Sequence, residues 1–202
     1  MEEYKAKTIL SYNKHSKYHA NRFSGLTDVL RRSEFKHFIE LLPGKKILDL
    51  GCGSGDHSLF FKEQGLEVSA VDISEGMVVL AREKGVDAEV MDIEDLSFFP
   101  ETFDGIWSVT SLLHIPKAIL PKVIKDLHRI LKPGGILYVC VKEGEGEQMV
   151  FDNADGTTER FFSFWQLEEL RALFLPLFSS ISFDEERVIL GERTFLQLFF
   201  KK

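Results

Sequence analysis

Two acids, Asp72 and Asp92, each close a stretch that reads as a strand, and His114 follows a third ending at Ser108-Val109-Thr110-Ser111. An acid at the end of a buried strand is well placed to accept hydrogen bonds from a ribose diol. A second such acid can take a hydrogen bond from an adenine amino group, while the backbone amide beside it, at Ile93, serves a ring nitrogen. A histidine titrating near neutrality can remove a proton from a substrate hydroxyl or amine. Upstream stands Asp49-Leu50-Gly51-Cys52-Gly53-Ser54-Gly55. Its glycines allow a ligand to lie against bare backbone. Their spacing is G-x-G-x-G; the dinucleotide fingerprint needs a glycine at the position of Asp56. Competing structural roles are a helix-capping acid for Asp72, a turn aspartate for Asp92, and a histidine without acid–base duty for His114.

These residues need strands to carry them. Residues 46–50 form an apolar run of the kind buried on both faces in a parallel sheet. The glycine loop follows, and residues 56–64 continue as a helix. Gly65 breaks it, and residues 66–71 make a second strand ending in Asp72. Ser74 caps a helix over 75–84, which Gly85 closes. Further strands are predicted over 86–91, 103–109 and 136–141. A helix over 116–131 has apolar positions at three- and four-residue spacing, with its start near Pro121. Alternating strands and helices predict a doubly wound α/β fold. Residues 166–174 read as a helix. Residues 178–183 and 194–200 read as two final antiparallel strands around Gly191. The stretch 143–162 reads as an irregular acidic loop that can cover a site or attract a cationic substrate. Phe161, Phe162, Phe164 and Trp165 suit either an acceptor pocket or the core.

The order of motifs resembles class I S-adenosylmethionine (SAM)-dependent methyltransferases. Asp49 to Gly55 look like that family's first motif, and Leu131-Lys132-Pro133-Gly134-Gly135-Ile136-Leu137 like its post-helix signature. Asp72 alone suits NAD as well as SAM; Asp92 favours SAM. The resemblance implies a seven-stranded, mostly parallel sheet with an antiparallel last strand, helices on both faces and a helical lid over 1–42. It assigns cofactor binding to Asp49, Gly51, Cys52, Gly53, Gly55, Asp72 and Asp92. It implies that Ile73 and Met77 pack on adenine, with Ile93 beside it, and that Ser108 lies near the methionine part. Tyr12, Tyr18 and Arg22 are lid candidates, Tyr18 among the cofactor contacts, and Phe23 belongs to the same segment. Product S-adenosylhomocysteine (SAH) would bind the same site.

Composition narrows the partners. Residues 1–46 hold ten Lys and Arg against five Asp and Glu, so the rest of a chain of net charge −7 carries −12. An acidic body argues against a nucleic-acid footprint. Two separated cysteines make neither a disulfide framework nor a metal site, and fit a reducing compartment. No apolar run reaches the roughly 20 residues of a membrane span, and the first residues lack a signal peptide's apolar core. The expectation is one cytoplasmic domain over 1–202, with an insertion at 143–165 over the site. Its expected function is methylation of an N, O or C nucleophile of a small molecule, with no metal. A macromolecular acceptor, a non-catalytic SAM-binding protein and a dehydrogenase are the alternatives.

Overall fold

A computed structural model describes residues 1–22, 33–184 and 186–202. Phe23 and the rest of residues 23–32 lie outside the described residues. The chain begins with α1 (Glu3–Lys14), continues helical over residues 16–22, and resumes with α2 (Glu34–Leu41). The core then runs β1 (Lys46–Leu50), α3 (Asp56–Glu63), β2 (Glu67–Asp72), α4 (Glu75–Glu83), β3 (Ala88–Val90) and β4 (Phe103–Val109). A short 3₁₀ turn at Leu112–His114 leads to α5 (Leu120–Ile130) and β5 (Leu131–Lys142). Beyond it come β6 (Glu147–Phe151), β7 (Glu159–Ser163), α6 (Leu167–Phe174), β8 (Ser179–Ile181), β9 (Arg187–Leu190) and β10 (Arg193–Lys201).

The sheet order is β3-β2-β1-β4-β5-β10-β8, with β9 also on β10. Strands β1 to β5 pair in parallel, and β10 runs antiparallel to β5, β8 and β9. This is the expected doubly wound sheet with its reversed last strand, but it has eight strands rather than seven, because β9 adds to β10 beside β8. The order reverses between β1 and β4, the crevice in which open α/β sheets bind ligands.

Burial explains the elements. Ile47, Leu48 and Leu50 of β1 are fully buried because helices cover both faces. On one face α5 presents Leu120, Val123, Ile124, Leu127 and Ile130 at helical spacing. On the other face Phe35, Phe38 and Phe61 gather around Trp107, which stacks on Tyr138 with centroids 4.1 Å apart. Many of the eighteen phenylalanines are therefore core, as expected.

Three stretches differ from expectation. Strand β3 is short, because it is an edge strand paired only with β2. Strand β5 starts at Leu131, which pairs with Phe103; a register shift between Phe103 and Gly105 accommodates the Lys132–Gly135 turn residues. The stretch after β5 contains the hairpin β6–β7 instead of only an irregular loop. Its short strands are hard to see among acids and glycines, and α1 packing on β7 supplies their partner. The end of the chain likewise holds three strands, with Gly191 turning β9 into β10 at φ +63°.

Candidate active site

The glycine loop is shaped by its backbone. The amides of Gly51 and Cys52 both donate to the Val71 carbonyl, at 2.8 and 2.9 Å, which ties the loop to β2. Gly51 has φ +76°, and a Cβ there would stand 2.3 Å from the Ser111 Cβ. Gly55 packs on Ala81 and Val86, bringing α3 close to α4. Gly53 differs: a Cβ there meets nothing within 4 Å. It is a gap beside the loop that a ligand can fill.

A cavity opens above this loop at the carboxyl ends of β1, β2, β4 and β5. Gly51, Cys52, Gly53, Asp72, Ile73, Met77, Asp92, Ile93 and His114 line it, so most of the sequence-expected site residues converge. Asp49, Gly55, Ser108 and Tyr18 do not line it. Asp49 is buried under the loop and accepts from the Ser58 hydroxyl at 2.6 Å; burial raises its pKa to about 7. Ser108 is also buried, its hydroxyl 2.8 Å from that of Ser111, which donates to the Leu50 carbonyl. Both residues support the loop from below. Tyr18 is 41% exposed and rests against His19. Tyr12, one helical stretch earlier, faces the cavity in its place.

Asp72 has two duties. Its Oδ2 accepts from the Gly53 amide at 2.9 Å and its Oδ1 from the Ser74 amide at 2.8 Å. Those bonds hold the loop while the acid faces the cavity. Burial raises its pKa, partly offset by the backbone donors. Asp92 accepts from the Glu94 amide through Oδ1, and its Oδ2 lies 2.7 Å from the Lys5 ammonium. Lys5 also reaches Glu94, and the Tyr4 hydroxyl donates to the same carboxylate. Asn13 accepts from the Ser74 hydroxyl and the Gly76 amide. Thus α1 roofs the acidic end.

His114 is held on both ring nitrogens. Nδ1 lies 2.6 Å from the Phe161 carbonyl, which can only accept, so Nδ1 carries the proton. Nε2 then accepts from the Tyr12 hydroxyl at 2.8 Å, and Arg160 donates to that hydroxyl at 2.9 Å. Burial lowers the His114 pKa to about 3, so the ring is neutral. Its lone pair is occupied and its basicity low.

Some cavity residues escaped sequence reading. Thr110 has φ +52°, an uncommon conformation for a β-branched residue, of the kind that gathers at functional sites. Lys142, Arg160 and Arg193 also line the cavity. Lys142 ends β5, so the carboxyl-end rule could have marked it; the other two arrive through β7 and β10. The acids of the 143–162 stretch do not front the cavity: Asp155 pairs with Lys14, Glu159 with Lys7 and Glu143 with Arg187. Asp152 is buried between Ser11, His19 and Arg160.

The residues fit SAM. Asp72 faces a gap beside Gly53 for a ribose, Ile73 and Met77 offer apolar contact to a flat base, and nearby Asp72 and Asp92 suit a cationic ligand.

A methyltransferase domain family matches residues 47–135. Phosphoethanolamine N-methyltransferase 1 of Zea mays is 31% identical over 140 residues, 66% of this chain and 27% of that protein. Ubiquinone biosynthesis O-methyltransferase of Pseudomonas syringae pv. tomato is 34% identical over 128 residues, 54% of each chain. This chain therefore spans between about a quarter and a half of these curated relatives. Among solved structures, a 1,6-didemethyltoxoflavin-N1-methyltransferase of Burkholderia thailandensis, with bound SAH, superposes with a TM-score of 0.75. It is 23% identical, covering 100% of this chain and 91% of that one, and so is similar in fold. The domain match and the strand order together place residues 47–135 in the class I, Rossmann-like SAM-dependent methyltransferase family.

Proposed function

We propose that this protein transfers the methyl group of SAM to an N, O or C nucleophile of a small molecule. The observation that carries the reading is the cavity at the sheet's switch point, where the Gly51–Gly53 loop, Asp72 and Asp92 meet. SAM supplies a methyl carbon already activated by its sulfonium. The chain then has to bind, align and exclude water. Asp72 and the glycine loop bind, Ile73 and Met77 pack the base, and Asp92 with the Ile93 amide reads its edge. Asp49, Gly55 and Ser108 shape the loop from beneath. His114 positions Tyr12 and α1 rather than acting as base, because both ring nitrogens are engaged.

A small acceptor is favoured over a macromolecule because α1 roofs the cavity. A macromolecular acceptor would have to meet the basic N-terminal stretch. Its Lys5, Lys7 and Lys14 are paired with Asp92, Glu94, Glu159 and Asp155. We read residues 1–202 as one functional unit with a helical lid. Buried free thiols at Cys52 and Cys140 suit a cytoplasmic location.

Calorimetric titration with SAM and SAH, with NAD as control, tests the reading. Micromolar binding of both SAM ligands, lost in Asp72→Ala while Trp107 fluorescence still reports a folded core, is the expected result. Binding of NAD and not SAM would overturn it.

A further inference from the structure

The cavity is electrically divided. Asp56, Asp72, Asp92 and Glu94 line its cofactor end, where Lys5 is paired with Asp92 and Glu94. Cations line the rest: Lys142 at the end of β5, Arg193 at the start of β10, Arg160 on β7, and Arg22. No carboxylate forms an ion pair with Lys142, Arg193 or Arg22 among the described residues. Arg160 is committed to Asp152, with Nε 3.0 Å from its Oδ2, and to Tyr12.

Lys142 is the centre of this group. Its ammonium sits 3.8 Å from the Phe162 ring centroid, a cation–π contact within the wall. Burial, then Arg193, Arg160 and Arg22, push its pKa down to about 7. A second recess shares Lys142, Arg160, Phe162 and Arg193 with the main cavity. Its carboxylates are Glu143, which pairs with Arg187, and exposed Glu192. Like charges gathered without a counter-charge cost stability. Such a group is maintained more readily where a ligand supplies the missing charge, and charge-assisted hydrogen bonds are the strong ones.

We infer that the methyl acceptor is an anionic small molecule, whose carboxylate or phosphate is held by Lys142, Arg193 and Arg22. This rests on the methyltransferase reading and deepens it. It also replaces the expectation that the acids after β5 attract a cationic substrate, since none of them lines the main cavity.

The test titrates phenyl phosphate, benzoate, benzyl alcohol and benzylamine, each with and without saturating SAH, followed by calorimetry at constant low salt. The expected result is that at least one anion binds ten times or more tighter than both benzyl alcohol and benzylamine. The ratio of phenyl phosphate to benzoate then tells phosphate from carboxylate. Lys142→Met with Arg193→Met should weaken the anion at least tenfold and leave SAH affinity unchanged. Arg193→Met alone, at an exposed position, gives a smaller loss in the same direction and guards against misfolding of the double variant. Equal binding of anions and benzyl alcohol, or unchanged anion binding in both variants, would overturn the inference even if SAH binds. Failure of SAH binding would instead strike the cofactor reading, and the anion arms without SAH still decide this one.

Discussion

Gly51 and Gly53 are two residues apart in one loop, yet alanine should damage them in different ways. Both have positive φ, +76° and +53°. A side chain at Gly51 would also place its Cβ 2.3 Å from the Cβ of Ser111. Ser111 cannot easily retreat, because its hydroxyl is bonded to the Leu50 carbonyl and lies 2.8 Å from Ser108. Left-handed backbone costs a non-glycine residue about 1–2 kcal/mol. Overpacking adds about 1–3 kcal/mol. Gly51→Ala should therefore lose about 2–5 kcal/mol, which at ~2–4 °C per kcal/mol for a chain of this size lowers Tm by about 4–20 °C. Gly53→Ala carries the backbone strain alone, about 1–2 kcal/mol, because its Cβ meets no atom within 4 Å. That Cβ would stand where a ligand must lie, so SAH affinity should fall at least tenfold, about 1.4 kcal/mol. Thermal unfolding and SAH calorimetry on the two purified variants separate the effects. Equal loss of Tm in both, or undiminished SAH affinity in Gly53→Ala, would refute the reasoning.

Two buried titratable groups should shape stability against pH with opposite signs. The Asp49 pKa is raised to about 7 in the fold, so its contribution is present below the ordinary carboxylate value and is lost as pH rises toward 7. Asp49→Asn, which can still accept from Ser58, should lose that slope in urea unfolding between pH 4 and 7. The His114 pKa is lowered to about 3, so its contribution is present above about pH 6.5 and lost as pH falls. His114→Gln should lose stability less steeply on acidification than the parent protein over the same range; an identical slope would deny that the ring is buried neutral. Trp107→Ala should cost about 3–5 kcal/mol by urea unfolding, because it removes the fully buried hub of the Phe35, Phe38, Phe61 and Tyr138 cluster. A loss below about 1 kcal/mol would mean that the cluster repacks freely.

The parallel core and the cofactor end were legible because their signals are local. An apolar run, a Gly-x-Gly loop and a strand-terminal acid are each set by neighbours in sequence, and backbone sterics force them into one corner. Gly51, Gly53, Asp72, Ile73, Met77, Asp92, Ile93 and His114 accordingly line one cavity. The cationic end of the cavity was less legible. Arg22 stood out as a lid candidate, but Lys142, Arg160 and Arg193 come from separate parts of the chain and share no pattern until β10 inserts beside β5 and the β6–β7 hairpin meets α1. Tyr12 faces the cavity and Tyr18 does not, because only the path of the lid settles which aromatic points inward. His114 shows the limit most clearly. Its residue type allows proton transfer, but a carbonyl from β7 and a hydroxyl from α1 occupy its two nitrogens, and burial keeps it neutral. Sequence alone determined the residue types, the strand–loop–helix periods and the spacing of the glycine loop. Tertiary structure decided which charges face each other and which polar atoms remain available, because burial and long-range pairing set those properties and neither is local.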